Sequence, residues 1–211
     1  MFDPLAIPHI WRAQSLTASA AVLSTGFAAL DDAIGGGWPA PALVEILTDV
    51  YGIGELQVVL PLLRTLANQP PQPALIAWWN PPYEPNAVAL AQHGLGASQH
   101  WLGRNLSARD TLWSMEQALK SQACSVALAW ITRPDTTSLR RLRLAITSSQ
   151  RFGILYRPSA DATMASPAHV RLRLTPGRDH LAVTVLKAQG HRSGDLLLDV
   201  DARLRAEVKS A

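Results

Sequence analysis

ALVEILTDVYGIGELQVVLPLLRTL, residues 42–66, decides how the rest of the chain reads. An apolar, β-type run from Leu43 to Leu47 enters a polar turn containing glycines. Glu55 to Leu66 then leaves it as a leucine-rich helical pattern, so the order is strand, loop, helix, the layout of a phosphate-binding core. A working phosphate loop also needs glycines that let backbone N–H groups approach the phosphates, a Lys to meet their charge and a hydroxyl for magnesium. Between Thr48 and Leu56 only part of that set remains. Gly52 and Gly54 are present, but Glu55 stands where the Lys belongs and Leu56 where the Ser or Thr belongs. Asp49 and Glu55 would place negative charge beside a polyphosphate. The stretch therefore reads as the architecture of a nucleotide site without its chemistry, and no cofactor is expected.

Upstream of this core, Thr25-Gly26 is a turn, Phe27 to Ile34 a short helix, and Gly35 to Gly37 a loop before Trp38-Pro39. Downstream, Ala74 to Trp79 is an apolar strand stopped by Pro81-Pro82. Tyr83 to His93 reads as a helix, Gln99 to Leu102 as a strand, and Ser107 or Asp110 caps a helix with Leu112, Met115, Leu119 and Ala123 on one face. Ser125 to Ile131 is the most apolar strand, and it carries no carboxylate where a magnesium-binding one would stand. Asp135 to Gln150 is a helix with Leu139, Leu142 and Ile146 inward, and Phe152 to Tyr156 a strand. After the turn-rich 158–167, alternation in Val170 to Thr175 and Leu181 to Leu186 predicts half-buried antiparallel strands, with Leu196 to Val200 as a third member. Alternating β and α elements followed by a β-meander make an α/β fold.

A chain of 211 residues with 48% apolar and 17% charged residues fits one globular domain plus short appendages. Residues 1–21 read as a helical appendage carrying Ile10, Trp11 and Leu16, and 22–211 as the domain. No run is long and apolar enough to span a membrane, and the N-terminus lacks the basic start and apolar core of a secretory signal, so a cytoplasmic setting is expected. Cys124 is the single cysteine, placed as a buried spectator. The six histidines lack metal-ligand spacing, and no nucleophile, base and orienter set emerges, so no catalytic residue is expected.

Charge is uneven. Residues 1–132 hold five Lys/Arg against nine Asp/Glu, and residues 133–211 fourteen against seven. Arg140, Arg141, Arg171 and Arg173 are the candidates for a phosphate-binding surface on DNA; pairing with acidic proteins and an ordinary solvated face are the other readings. Trp78, Trp79 and Trp130 fall at the C-terminal ends of predicted parallel strands, where α/β sheets bind ligands. They either fill that crevice or offer an aromatic surface to a partner.

Five separated blocks carry a family resemblance: HIWRAQSL (9–16), TGFAALDDAIGGGWP (25–39), YGIGELQVVLPLL (51–63), WSMEQALKSQACSVALAW (113–130) and FGILYRPS (152–159). The opening TG-x-x-x-LD and the strand–loop–helix after it are similar to the RecA recombinase superfamily, and the five blocks together resemble the ImuA proteins. From about Val44 to Pro158 the chain also resembles SulA, the SOS-induced cell-division inhibitor that binds the tubulin-like division protein. The resemblance implies a RecA-like, mostly parallel sheet flanked by helices, extended by antiparallel strands. Because Glu55 and Leu56 replace the family's phosphate-loop residues, it implies binding rather than ATP hydrolysis. On the ImuA side the implied role is a non-catalytic adaptor of SOS-induced, error-prone translesion DNA synthesis. Its partners would be an ImuB-like polymerase homologue, an error-prone replicative-type polymerase and RecA, with weak DNA binding and self-association in addition. On the SulA side the implied role is inhibition of division. An N-terminal arm that packs on another protomer or on the partner is implied for Ile10, Trp11 and Leu16; docking on the arm's own domain is the alternative.

Overall fold

A computed structural model describes residues 21–68, 74–178, 180–190 and 194–200; the arm residues Ile10, Trp11 and Leu16 lie outside them. In chain order the elements are β1 (Val22–Leu23), α1 (Ala28–Ala33), β2 (Trp38–Pro39), β3 (Ala42–Leu47), α2 (Leu60–Ala67), β4 (Ile76–Trp79), α3 (Ala87–Gln92) and β5 (His100–Gly103). There follow α4 (Ala108–Lys120), β6 (Val126–Trp130), α5 (Thr136–Ser149), β7 (Phe152–Arg157), β8 (Val170–Pro176), β9 (Leu181–Lys187) and β10 (Asp195–Leu198).

The apolar runs become strands covered on both faces. β3, β4, β6 and β7 are buried at every position, which is what a parallel sheet with helices on both sides requires. Among the described residues the sheet has eight strands in the order β10-β9-β8-β3-β7-β6-β4-β5. Strands β8 through β5 run parallel, while β9 and β10 are antiparallel additions. The α/β class with a mostly parallel sheet and antiparallel C-terminal strands is thus present as the sequence implies. One refinement concerns β8. Its alternating pattern predicts a half-buried antiparallel strand, yet it pairs in parallel with β3, from Val44 opposite Val170 to Leu47 opposite Arg173, and only its other edge is antiparallel.

Helices cover both faces. Leu30, Leu62, Leu63, Leu66 and Leu90 from α1, α2 and α3 pack on Val44, Ile46, Trp78, Leu128 and Ile154. Leu112, Met115, Leu119, Leu139, Leu142 and Ile146 from α4 and α5 pack on Leu43, Ala77, Ala127 and Leu155. Capping sets several helix starts: the Ser107 and Asp135 side chains accept from the backbone N–H of Asp110 and Ser138, and Asn86 accepts from Val88 and Ala89.

Two helices start later than the pattern predicts, and proline explains both. The leucine-rich pattern begins at Glu55, but α2 begins at Leu60. Pro61 lacks an N–H, and its ring would clash with the carbonyl of Gln57 in a continuous helix, so 55–59 coil as tight turns instead. Pro85 disfavours helical geometry at Glu84, and α3 starts at Ala87 rather than near Tyr83. The short β1–β2 ladder is absent from the sequence reading. It depends on Gly37, whose φ of +136° and approach to the Leu23 carbonyl leave no room for a Cβ, which would lie 2.5 Å from that oxygen. Trp38, fully buried beside it, joins the core. Among the described residues no helix is long and apolar enough to cross a membrane.

Candidate functional site

The carboxyl edge of the parallel strands holds the loop on which the sequence reading turns. Thr48 begins it: its backbone N–H donates to the Arg157 carbonyl, and its hydroxyl donates to the Val50 carbonyl at 2.9 Å. Asp49 leaves the sheet and accepts from the Ser159 N–H at 2.8 Å. At the centre of the loop, the Glu55 carboxylate folds back to accept from the Gly52 N–H at 3.1 and 3.0 Å and from the Ile53 N–H at 3.0 Å. Those are donors of the kind a phosphate loop turns toward its anion. Here a side chain of the chain itself, 5% exposed, supplies the negative charge. Gly54, at φ +97°, seats the turn against Val200, whose Cγ2 lies 3.0 Å from where a Cβ would be. Leu56 packs against the core on the face covered by α1, α2 and α3.

Beneath the loop lies an aromatic stack. Trp78, Trp130 and Tyr156, from β4, β6 and β7, are stacked with centroid separations of 6.1 and 4.5 Å and interplanar angles of 12° and 8°. The Tyr156 hydroxyl donates to the Glu55 carbonyl at 3.3 Å, tying the stack to the loop. Burial, with the Glu55 charge second, holds the Tyr156 hydroxyl well above its ordinary range, so it stays a donor. The Trp78 indole N–H donates to His100 Nδ1 at 3.0 Å, and burial lowers the His100 pKa. Trp78 and Trp130 are 1% and 8% exposed, so they chiefly fill the crevice.

What stays open beside the loop is a crevice of about 270 Å³ lined by Tyr51, Asn80, Pro82, Leu106, Trp130 and Thr132. The Trp130 indole N–H is buried there without a partner among the described residues. Asn80, held at φ +50°, is used structurally: its side chain donates to the Leu106 carbonyl and the Thr111 hydroxyl and accepts from the Leu106 N–H. Among the described residues no carboxylate lines the crevice. Burial first, then Glu55 and Asp49, raise the Tyr51 pKa, leaving a neutral phenol at its mouth. The arrangement can receive a small side chain; its loop donors are already taken.

The four candidate arginines do not converge. Arg140 is exposed on α5. Arg141, on the same helix, pairs with Glu116 at 2.9 Å, and Glu116 also holds Lys120. Arg171 turns inward, with its Nε 2.8 Å from Glu45, so it is not available to a phosphate. Arg173 is half-buried, its Nε without a partner among the described residues. Sequence reasoning missed the group that captures Arg171: Glu45, Arg157, Asp161 and Arg171 form a buried ionic cluster. Arg157 bridges Glu45 at 2.8 Å and Asp161 at 2.9 Å, while the Ser166 hydroxyl donates to Glu45 at 2.6 Å. The one signal for it was a Glu inside an otherwise apolar strand. The cluster fastens residues 159–166, read from sequence as a turn-rich loop, onto β3, β7 and β8. Cys124 is buried and its thiol pushed up to about 12 by burial, an inert core residue. Among the described residues no three His, Cys, Asp or Glu side chains gather to hold a metal.

No family profile matches the chain. Individual relatives do. The cell division inhibitor SulA of Yersinia pseudotuberculosis is 28% identical over 145 residues, spanning 64% of this chain and 84% of that protein. The SulA of Yersinia enterocolitica is 30% identical over 102 residues, 48% of this chain and 59% of the relative. The SulA of Serratia proteamaculans is 31% identical over 127 residues, covering 59% of this chain and 71% of the relative. An α/β core whose phosphate loop is closed by its own carboxylate, together with this degree of identity over most of the relative's length, leads to one assignment: the chain belongs to the SulA family.

Proposed function

We propose that the chain is a non-enzymatic inhibitor of cell division that works by binding a protein, with the tubulin-like division protein as its target and the SOS response as its setting. Kinship with proteins named as cell division inhibitors supports the target. The observation that carries the non-enzymatic part is Glu55, whose carboxylate occupies the loop donors that a nucleotide would need. A protein that acts by binding its target works in stoichiometric amounts, so its potency tracks its copy number. Regulated expression in a rod-shaped bacterium tests this. Filamentous cells with intact nucleoids, and co-purification of the division protein, are expected; normal division at high expression would overturn the reading.

A second reading is an ImuA-type adaptor of translesion synthesis, bound to an ImuB-like polymerase homologue and through it to an error-prone polymerase and RecA. It is favoured by the opening block, residues 25–39, which precedes the stretch resembling SulA and contributes Leu30, Ile34 and Trp38 to the core. Damage-induced mutagenesis that drops when the gene is deleted, with division after damage unchanged, would favour the adaptor over the inhibitor. In both readings residues 1–21 serve as an association arm through Ile10, Trp11 and Leu16.

A further inference from the structure

Helix α5 shows one face to α4 and the sheet and another to solvent. Thr136, Arg140, Arg143, Leu144 and Thr147 recur at the spacing of a single helical stripe, about 17 Å long at 1.5 Å per residue. Facing them, Ala165, Ser166 and Pro167 form the opposite wall of a groove of about 650 Å³. Its walls are built rather than accidental. The Arg143 guanidinium donates to the Pro167 carbonyl at 2.9 Å, Lys187 donates to the Ser166 carbonyl at 3.0 Å, and the buried Glu45 carboxylate anchors Ser166.

The groove has a definite chemistry. Among the described residues two arginines and no carboxylate line it. The Asp135 carboxylate at the start of α5 is taken up in capping the Ser138 N–H, and Glu45 and Asp161, behind residues 165–167, are buried and already paired with Arg157 and Arg171. Arg140 has no carboxylate partner among the described residues. Leu144, meanwhile, is 70% exposed in the middle of the stripe. A leucine held in water beside Arg140 and Arg143 on one helical stripe suits an apolar side chain next to carboxylates. Double-stranded nucleic acid would use the charges and leave Leu144 idle.

We infer that the groove between α5 and residues 165–167 docks an acidic peptide segment of a partner protein, with an apolar side chain seated on Leu144 and carboxylates on Arg140 and Arg143. This rests on the reading of the chain as a protein-binding module. The occupant is foreign to this chain by charge: residues 1–20 carry one Asp and one Arg, and 201–211 are net basic, so neither supplies the complement. Arg143 spends one N–H on the Pro167 carbonyl and keeps its charge and its other donors, while Arg140 makes no such contact, so the test falls on Arg140.

The test uses the full chain and a fluorescent nonapeptide of Glu and Asp with central leucines, beside an all-Glu nonapeptide and a single-stranded oligothymidylate. The leucine-containing peptide is expected to bind more tightly than the all-Glu one. Arg140→Glu and Leu144→Asp should each weaken it by about tenfold or more, while Arg178→Glu, an exposed charge in the β8–β9 turn, should not. Both variants lie at the surface, so unchanged melting points are expected alongside. Binding insensitive to Leu144→Asp, preference for the oligonucleotide, or a self-associated form lost in both variants without peptide binding would each overturn the inference. Filamentation separates this from the functional reading. Division arrested equally by wild type and both variants, with peptide binding also unaffected, defeats the groove alone. No arrest by wild type, with groove-dependent peptide binding intact, defeats the division reading alone.

Discussion

Glu55 is the residue on which the loop's identity turns. Its carboxylate, almost fully buried, accepts from the Gly52 and Ile53 N–H groups, so removing it takes charge-assisted hydrogen bonds from the turn. Glu55→Ala should therefore cost about 2 kcal/mol of stability, read as a lower urea midpoint at unchanged slope. In the wild type, Mg-ATP at millimolar concentration should leave the melting point where it is, because a ligand raises it only by binding the native state. A saturable upward shift would show the loop open. His169 offers a pH test at the same scale. Its Nδ1 accepts from the Leu43 N–H at 3.0 Å, which only the neutral ring can do, and burial, then Arg143 and Lys187, lower its pKa. A folded-state pKa below the unfolded value of about 6.5 means that the stabilisation is complete above that pH and is lost as pH falls through the lower folded value. The melting point should drop as pH falls below about 6.5, and less steeply in His169→Asn, whose amide oxygen accepts without titrating. The remaining slope includes His100, lowered by burial as well.

Among the elements, the strap of residues 159–166 depends on charges inside the sheet. Glu45 on β3 receives Arg157 from β7 and Arg171 from β8, all less than a tenth exposed, and Asp161 of the strap closes the group. Desolvating four charges is costly, and the geometry offsets that cost only when every partner is present. Glu45→Gln should thus destabilise the domain by about 3–5 kcal/mol, because two guanidinium groups lose their shared carboxylate. Before global unfolding, faster hydrogen exchange in 159–166 should appear. Exchange unchanged in that segment would mean that the strap is held by packing instead. The same cluster explains why the alternation of β8 misleads: Arg171 occupies the polar phase of the pattern, yet it faces a paired interior rather than water.

For the whole molecule, the question is how the segment 1–21 relates to the domain. Ile7, Ile10, Trp11 and Leu16 make an apolar stripe too short to be a stable isolated helix, since fewer than about 12 to 15 residues are marginal in water. Deleting residues 1–21 is expected to abolish assembly or partner co-purification while the remaining domain melts as before. A collapsed domain, or assembly unchanged, would remove the association role. Trp11→Ala should weaken the same contact by about 2 kcal/mol or more.

Local sequence determined a good deal by itself. The apolar runs at 43–47, 74–79, 125–131 and 152–156 read as strands and hold them, Ser107 or Asp110 marked the start of a helix that Ser107 caps, and Glu55 and Leu56 stood where a phosphate loop has its Lys and its Ser or Thr. These signals lie within a few residues of their consequences. Tertiary structure alone decided where charges met. Glu45 and Arg171 stand 126 positions apart, and no periodicity says whether a polar side chain in a strand meets water or a distant partner. The stack of Trp78, Trp130 and Tyr156 and the groove between α5 and 165–167 arise likewise from strand order and from chain segments brought together by the sheet. Spacing along a chain encodes the face a residue takes; only the completed packing supplies what stands opposite that face.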